Sequence, residues 1–435
     1  MRRAPHMGVF PRHRAGAALV LALTCLLVAC ADTAPETQAR RDGAVVLEVW
    51  MHAGSPAERR IMQEQVTRFN TMQYRVRVNV VILPEDSYER QVREAALAGR
   101  LPDILDFNGP FVYDYIQRGR LVPLDKLLTD HSRLDLFPAV VQQGMHQGRI
   151  YTVSTYDTGL GIYARPSRLR EAGVRIPAAL DEAWSATEFK RALQRLAAHD
   201  ADGAVLDLGL GAKGEWYSYA FLPVIQSAGG DLIDRESFRT AAGWLNRREA
   251  VEAMSQVQSW IRQGYVDPNV DQAAFLRGRV ALSWGDHTAF QRYEEAFPGD
   301  VVLLPLPDFG RGARTTQGGW GWAVTQACAD RRAAMQFLEY LLQTEQVLAM
   351  AEAGAGIPAT RSAAARAERY RDGGPLHLFI AQLEDGLPSR PGLSAYPAIS
   401  AEFQRTVDEI VHGADVRSAL DAAVQAIDRR LNGDV

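Results

Sequence analysis

The chain has 435 residues, of which 47% are hydrophobic and 23% are charged, a composition typical of a globular protein long enough for two domains or lobes. Its 48 basic and 52 acidic side chains give a net charge of −4 without a basic stripe, which argues against a nucleic-acid-binding protein. With only three cysteines, we expect stability to come from hydrophobic cores rather than from disulfides.

The N-terminus has the pattern of an export signal. Four arginines precede an apolar run over residues 15–29, which is shorter than the roughly 20 residues of a membrane span. The run ends in Leu-Val-Ala-Cys at 27–30, which resembles the bacterial lipobox, where the cysteine is lipidated and becomes the first mature residue. We predict a signal peptide over 1–29, a lipid anchor at Cys30 and a flexible tether over 30–43. An ordinary signal peptide that happens to contain cysteines, such as Cys25, is the alternative.

Removal of residues 1–29 takes away four arginines and no acidic residue, which leaves 44 basic against 52 acidic side chains and a net charge of −8. The mature chain would retain only Cys30 and Cys328. With Cys30 lipidated, no intramolecular disulfide can form.

The folded part opens with alternating strands and helices. Residues 45–50 and 76–82 predict strands, and Ser-Pro-Ala-Glu at 55–58 is a capping box that begins a helix between them. A second helix, from about 86 to Gly99, leads into a buried strand over 102–106. This alternation predicts crossover connections and a mainly parallel sheet with helices on both faces.

Ligands in such sheets bind beyond the carboxyl ends of the strands. The segments 51–55 and 106–110 follow two of the predicted strands, so His52, Asp106 and Asn108 are candidate ligand contacts.

The middle of the chain continues in the same style. Strands are predicted over 150–153, 160–163, 280–284, 301–306 and 320–324, and a second capping box at 185–188 begins another helix. Residues 332–342 are predicted to be helical, and the last third of the chain is helix-rich.

Seven segments, taken in order, carry a family resemblance: TRFN at 67–70, GRLPDI at 99–104, GRLVPL at 119–124, GIY at 161–163, LREAGV at 169–174, GRVAL at 278–282 and GGWG at 318–321. Together, across roughly 45–428 and behind a lipobox, they resemble the extracellular solute-binding proteins of ABC importers, the sugar-binding family that includes maltose-binding protein. The chain departs from the family pattern at Ala164-Arg165, where an asparagine and a lysine are usual, and over the variable loop at 236–248.

The resemblance implies an α/β fold of two lobes, joined by crossing segments near 155–157, 318–320 and 356–358. The first lobe would comprise 44–155 and 320–357, and the second 156–319 and 358–435. The implied function is capture of a carbohydrate, an oligosaccharide or other glycoside, by hinge closure and its delivery to an ABC permease. We expect an extracytoplasmic, lipid-anchored monomer, on the periplasmic face in a Gram-negative cell, which needs no metal or cofactor and binds no nucleic acid.

Sugar sites combine flat aromatic rings with carboxylates, amides and guanidinium groups. On that basis the candidate ligand-binding residues are His52, Asp106, Asn108, Tyr156, Asp157, Trp216, Tyr217, Trp284, Asp286, Trp320, Trp322 and Arg390. Core packing is the alternative role for each tryptophan. A helix cap, a turn or a surface charge is the alternative for each polar residue.

Catalytic motifs are missing from the sequence: it has no Gly-x-Ser-x-Gly elbow, no His-Glu-x-x-His helix and no phosphate loop, so no catalytic residue is predicted. A secreted glycosidase, which needs two carboxylates about 5–10 Å apart, is the main alternative from another class. The sequence is also compatible with a relative that binds a polyamine or a glycerol phosphodiester, and with a lipoprotein that presents its ligand to a receptor. The abundance of aromatic residues favours a sugar over a polyamine.

Overall fold

The structure, a computed structural model, describes residues 43–212, 215–269, 271, 273–353, 356–386 and 390–433. The predicted signal peptide, the lipidation site Cys30 and the tether before Gly43 lie outside the described residues. No helix within these ranges is both long and apolar enough to span a membrane.

The strands are, in chain order, β1 Val45–His52, β2 Val76–Leu83, β3 Ile104–Asn108, β4 Met145–His146, β5 Arg149–Ile150, β6 Tyr156–Asp157, β7 Leu160–Ala164, β8 Leu206–Asp207, β9 Leu282–Asp286, β10 Val302–Leu304, β11 Trp320–Val324 and β12 Ile357–Pro358.

The α-helices are α1 Pro56–Met72, α2 Tyr88–Leu97, α3 Val112–Gln117, α4 Asp130–Asp135, α5 Pro138–Gln143, α6 Pro166–Glu171, α7 Ala186–Ala197, α8 Trp216–Ser227, α9 Arg248–Arg262, α10 Ala289–Ala296, α11 Arg331–Leu341, α12 Thr344–Glu352, α13 Arg361–Ala364, α14 His377–Asp385, α15 Tyr396–Val411 and α16 Val416–Leu431. Short 3₁₀ turns cover Glu85–Ser87, Gly109–Phe111 and Leu180–Glu182.

Both predicted capping boxes are present. The Ser55 hydroxyl accepts a hydrogen bond from the Glu58 backbone N–H at 3.1 Å, and the Glu58 carboxylate accepts one from the Ser55 N–H at 3.3 Å. Ser185 and Glu188 make the same reciprocal pair at the start of α7. Each box supplies partners for N–H groups that the first turn of a helix leaves unpaired, which is why both helices begin where the sequence predicts.

The first sheet has the order β11-β3-β1-β2. Strand β1 runs parallel to both β2 and β3, with Val45 opposite Val76 and Val49 opposite Ile104, so the predicted parallel arrangement is confirmed. Strand β11 returns late in the chain and pairs antiparallel with β3. The carboxyl ends of β1 and β3 therefore meet at one edge of the sheet.

The second sheet, in the order β10-β7-β9-β8, is mixed rather than mainly parallel. Strand β7 is antiparallel to both neighbours, and only β8 and β9 run parallel. The chain enters β7 directly from β6, whereas β9 ends at Asp286 beside Leu160, where β7 begins. Because β7 begins at the edge of the sheet where β9 ends, these two strands run in opposite directions.

Each sheet has its own large hydrophobic core. Val49, Ile104 and Phe337 belong to the first core, and Phe221, Trp260 and Phe403 to the second. The segment 358–435 divides between them: α14 packs its apolar residues in the first core, while α15 and α16 pack in the second. The lobe boundaries proposed from the sequence stay a prediction.

Candidate ligand-binding site

The three segments predicted to cross between lobes lie side by side. Strand β6 pairs antiparallel with β12, and the buried Asp157 carboxylate accepts hydrogen bonds from the N–H groups of Gly318 and Gly319 at 2.9 and 3.0 Å. It also accepts one from the Gln143 side chain at 2.6 Å. Burial raises the pKa of Asp157, and these donors offset the desolvation of its charge. Asp157 thus connects the crossing segments, and both of its oxygens are already hydrogen-bonded within the protein.

A cavity of about 720 Å³ opens beside this crossing. One wall comes from residues between 109 and 148, which follow strand β3 of the first sheet along the chain. The other comes from Arg235, Phe238 and residues 392–393, which lie in segments predicted to form the second lobe, and Gln317, Gly318 and Arg390 lie between the walls. The volume falls within the roughly 300–1,000 Å³ of small-molecule sites in proteins.

Arg390 is the only one of the predicted ligand-binding residues that lines this cavity. Its guanidinium donates to the Glu215 carboxylate at 2.8 Å and to the Gly318 carbonyl at 2.9 Å. The charge of Glu215 raises the pKa of Arg390 although burial opposes it, so the side chain is a permanent cation. Glu215 in turn accepts hydrogen bonds from the hydroxyls of Tyr396 and Ser400.

Two glycines make room for this guanidinium. Gly109 and Gly318 have φ angles of +38° and +138°, and a Cβ on Gly109 would lie 2.5 Å from the Arg390 Nη2 atom. A Cβ on Gly318 would come closer still. Only glycine therefore permits the chain on both sides of the crossing to approach Arg390.

The first wall of the cavity carries two neutral aromatic rings. Tyr113 and His146 make an edge-to-face contact with ring centroids 5.8 Å apart, and the Tyr113 hydroxyl donates to the Gln143 carbonyl at 3.0 Å. Burial raises the pKa of Tyr113 to about 12 and lowers that of His146. Both rings are thus uncharged at neutral pH, and they combine apolar ring surface with the hydroxyl of Tyr113 and the two ring nitrogens of His146.

The second wall carries a guanidinium and an exposed ring. Arg235 is held by the Asp231 carboxylate through two hydrogen bonds, at 2.8 and 3.0 Å, so its plane is fixed. Phe238 is 39% exposed, which is unusual for so large an apolar side chain.

Four predicted residues meet in a buried network at the carboxyl ends of β1 and β3. His52 Nδ1 lies 2.6 Å from the Asp106 carboxylate, and its ring stacks on Trp320 with centroids 3.6 Å apart. The Tyr88 hydroxyl donates to the same carboxylate at 2.6 Å. Sequence reasoning missed Tyr88, whose position near the start of a helix gave it no distinguishing pattern.

Glu58 connects this network to the crossing strand. Its carboxylate accepts a hydrogen bond from the Tyr156 hydroxyl at 2.7 Å and lies 3.4 Å from His52 Nε2. Burial raises the pKa of Glu58. Of the four predicted residues in this network, only Trp320 is partly exposed. The other three, His52, Asp106 and Tyr156, are buried, and their polar atoms contact one another, Glu58 or Tyr88.

Two of the tryptophans predicted to contact the ligand lie in the hydrophobic cores and outside the cavity lining. Trp284 is 2% exposed in the second core, where its indole N–H donates to the Ala220 carbonyl at 3.2 Å. Trp322 is buried in the first core. Core packing, the alternative role considered for each tryptophan, thus describes both residues in this conformation.

The remaining predicted residues lie outside the cavity lining. Trp216 and Tyr217 begin α8 and donate to the backbone carbonyls of Leu208 and Leu210, at 3.2 and 3.0 Å. The Asp286 carboxylate accepts a hydrogen bond from the Thr288 N–H at 2.9 Å and so forms a turn. Asn108 is half-buried and directly precedes Gly109, which does line the cavity.

Sequence reasoning missed most of the lining because it comes from short helices, turns and loops. The missed polar and aromatic lining residues are Tyr113, Gln117, Gln142, Gln143, His146, Gln147, Arg235, Phe238 and Gln317. One feature of the sequence, the Gln147-Gly148 pair, could have indicated part of this lining. The two residues have φ angles of 48° and 73° and form the two-residue turn between β4 and β5.

Within the described ranges, no group of three or more His, Cys, Asp or Glu side chains is arranged to hold a metal ion.

Comparison with known proteins places the chain in a family. Residues 64–373 match the family model described as bacterial extracellular solute-binding protein. A protein of Brucella abortus (strain 2308), named only as a binding protein, is 21% identical over 349 residues, which cover 76% of this chain and 80% of that protein.

Two solved structures illustrate the fold. The cyclic α-maltosyl-1,6-maltose binding protein from Arthrobacter globiformis superposes with a TM-score of 0.77 at 23% identity, over 90% of this chain and 100% of that one. The sugar-binding protein MalE from Xanthomonas citri gives 0.76 at 18% identity, over 90% and 98%. These likenesses confirm the predicted two-lobed α/β architecture, and with the family match they show that this chain belongs to the bacterial extracellular solute-binding proteins.

Proposed function

We propose that this protein is the carbohydrate-binding component of an ABC importer, which captures an oligosaccharide or other glycoside by closure of its two lobes. The observation that carries the proposal is the cavity beside the crossing segments, whose walls come from both sides and combine aromatic rings, amides and two guanidinium groups. These groups are the partners that the apolar faces and hydroxyls of a sugar require.

The charge of the cavity favours a neutral ligand. Among the described residues that line it there is no aspartate or glutamate. Arg235 and Arg390 each bind a carboxylate behind the wall, Asp231 and Glu215, so their charges are already balanced. A polyamine would lack anionic partners here, and a glycosidase would lack its pair of carboxylates. We therefore infer a role in binding rather than catalysis.

Closure requires a ligand that touches both lobes. A ligand with equal affinity for the open and closed states shifts neither, so contacts from both walls must form together. Tyr113 and His146 lie on one wall and Arg235 and Phe238 on the other, while Arg390 reaches the crossing segment through the Gly318 carbonyl. Closure about this crossing would bring all of these groups onto one sugar.

The named ligands of the two solved relatives, a cyclic maltosyl-maltose in one and a sugar in the other, support a carbohydrate here. Membership of an extracellular family and the lipobox-like segment at Cys30 together support a lipoprotein tethered near its permease. The tether over 30–43 would allow the lobes to close and still reach the membrane partner.

Calorimetric titration of the purified chain tests the proposal. The probes are maltotriose, a cyclic maltodextrin, spermidine and glycerophosphocholine, and each mixture is checked for products by chromatography. We expect at least one of the two sugars to bind and to raise the melting temperature, with an excess of about 100 Kd adding roughly 2.7 kcal/mol of stability, and no product to form.

Arg390→Gln should weaken sugar binding at least about tenfold, because the variant loses a charge-assisted donor from the cavity. Arg60→Gln, at an exposed ion pair on α1, is the matched control and should bind as the wild type does. Sugar hydrolysis would show an enzyme instead, and binding of spermidine or glycerophosphocholine alone would overturn the substrate class.

A further inference from the structure

We propose that Phe238 is a ligand-binding residue that presents a flat aromatic platform to one sugar ring of the ligand. The proposal rests on the carbohydrate-binding function proposed above and deepens it. Phe238 lines the cavity, is 39% exposed and has a left-handed backbone with φ of 56°.

The backbone conformation of Phe238 is the first argument. Among the described residues only Gln147 and Phe238 are non-glycine residues with positive φ. Gln147 has a local reason, because a two-residue hairpin turn requires it. Phe238 is bulky and connects no strands, so its left-handed conformation is unfavourable and persists only because the surrounding loop imposes it. Strained residues of this kind concentrate where a side chain must be aimed.

The loop that holds Phe238 is tightly hydrogen-bonded. The Phe238 N–H donates to the Asp234 carbonyl at 3.0 Å, and the Asp234 N–H donates to the Thr240 carbonyl at 2.8 Å. The Asp234 carboxylate accepts from the Ser237 hydroxyl at 2.7 Å. Thr240 donates to the Asp428 carboxylate of α16 at 2.8 Å, which fastens the loop to the second lobe. The ring is therefore positioned before any ligand arrives, which reduces the ordering needed on binding.

The neighbours of the ring indicate the class of ligand. Arg235, three residues earlier in the same loop, lines the cavity with its guanidinium plane fixed by Asp231. Tyr113 and His146 lie on the opposite wall. An apolar ring face beside a guanidinium of fixed orientation suits a pyranose, which has an apolar C–H face and a rim of hydroxyls. A linear polyamine or a phosphodiester has no such face.

Three substitutions separate the platform from a structural role, with affinity measured for maltotriose and a cyclic maltodextrin and melting temperature measured without ligand. Phe238→Ala should weaken binding roughly tenfold or more, because the buried aromatic contact is lost. Phe238→Tyr keeps the ring and should stay within about threefold of the wild type. Phe238→Gly should bind as weakly as Phe238→Ala but melt at a higher temperature than Phe238→Ala, because glycine tolerates positive φ. Tyr74→Ala, at a 76% exposed aromatic residue outside the cavity lining, is the control and should leave affinity unchanged.

The inference is overturned if the wild type binds either sugar while Phe238→Ala and Phe238→Gly keep its affinity within about twofold. It is also overturned if Phe238→Gly melts at a higher temperature than Phe238→Ala and loses no affinity, since the ring would then only be tolerated by the loop. A wild-type chain that binds neither sugar would contradict the proposed function itself, and that result is recognised without any variant.

Discussion

His52 lies between two carboxylates, with Asp106 2.6 Å from Nδ1 and Glu58 3.4 Å from Nε2. Burial lowers the pKa of His52, but the two carboxylates outweigh burial and leave the pKa raised above 6.5. The pKa of Glu58 is raised by burial as well. Both shifts mean that the folded chain holds protons more tightly than the unfolded chain does.

The stability contributed by protonated His52 should therefore be complete below its unfolded pKa and should be lost as the pH rises through its raised folded pKa. We expect the stability advantage of the wild type over His52→Asn, measured by urea unfolding, to be largest in mildly acidic solution and to shrink as the pH rises above the unfolded pKa of about 6.5. His412→Asn, at a ring that is 74% exposed, is the control. An advantage of His52 that grows with pH would contradict this assignment.

The carboxyl-end rule singled out His52 and Asp106, and the structure brings both to one edge of the first sheet, where the His52 ring stacks on Trp320. What each residue does there depends on neighbours that are distant in sequence. Tyr88 and Glu58 take up the polar atoms of the network, and no periodicity in the sequence indicates that they face it. The pattern thus predicted the place but not the partners.

At the scale of elements, the two capping boxes have the same sequence pattern but different surroundings. Glu188 is exposed and serves only the start of α7 and its neighbours on the surface. Glu58 is 5% exposed, caps α1 and also accepts the hydrogen bond of Tyr156 in the crossing strand β6. One is a local cap, whereas the other connects a helix to the crossing.

Glu188→Ala should cost about 1 kcal/mol of unfolding free energy, as is usual for a lost cap. Glu58→Ala should cost more, roughly 2–4 kcal/mol, because the Tyr156 hydroxyl is left buried without its partner and His52 Nε2 loses the nearby carboxylate. Denaturant unfolding of both variants measures the difference. Equal losses would mean that the contacts of Glu58 beyond the helix contribute nothing to stability.

The long elements could be predicted from their sequence patterns, whereas a strand of two residues is too short to show a pattern. Strands β1, β2, β7 and β11 lie within a few residues of their predicted bounds, because alternation and apolar runs record burial directly. Strands β6 and β12 exist only because the crossing segments meet, which is a property of the assembled lobes.

At the scale of the molecule, the crossing beside Arg390 should govern both closure and affinity. Gly318 and Gly310 have similar φ angles, +138° and +124°, but a Cβ would meet the Arg390 guanidinium only at Gly318, with nothing within 4 Å at Gly310. The two glycines therefore separate backbone strain from displacement of Arg390.

Gly310→Ala should lose about 1 kcal/mol from backbone strain and keep its affinity for sugar. Gly318→Ala should lose more stability and bind roughly tenfold more weakly, because the guanidinium is displaced from the crossing. Small-angle X-ray scattering should show the wild type and Gly310→Ala becoming more compact with saturating ligand. Full compaction and unchanged affinity in Gly318→Ala would show that Arg390 is not needed at this position.

The sequence alone determined the alternation of the first strands and helices, the two capped helices and the family, since local periodicity and short motifs encode these. It also identified Arg390 as a candidate ligand-binding residue. The tertiary structure decided which side chains face the cavity: Phe238, Tyr113, His146 and Arg235 come from loops and short helices far apart in the chain. It also buried Trp284 and Trp322, because the face of a strand that meets the core depends on what packs against it. Composition predicts that a chain has aromatic residues for a sugar, but only packing selects which of them remain exposed.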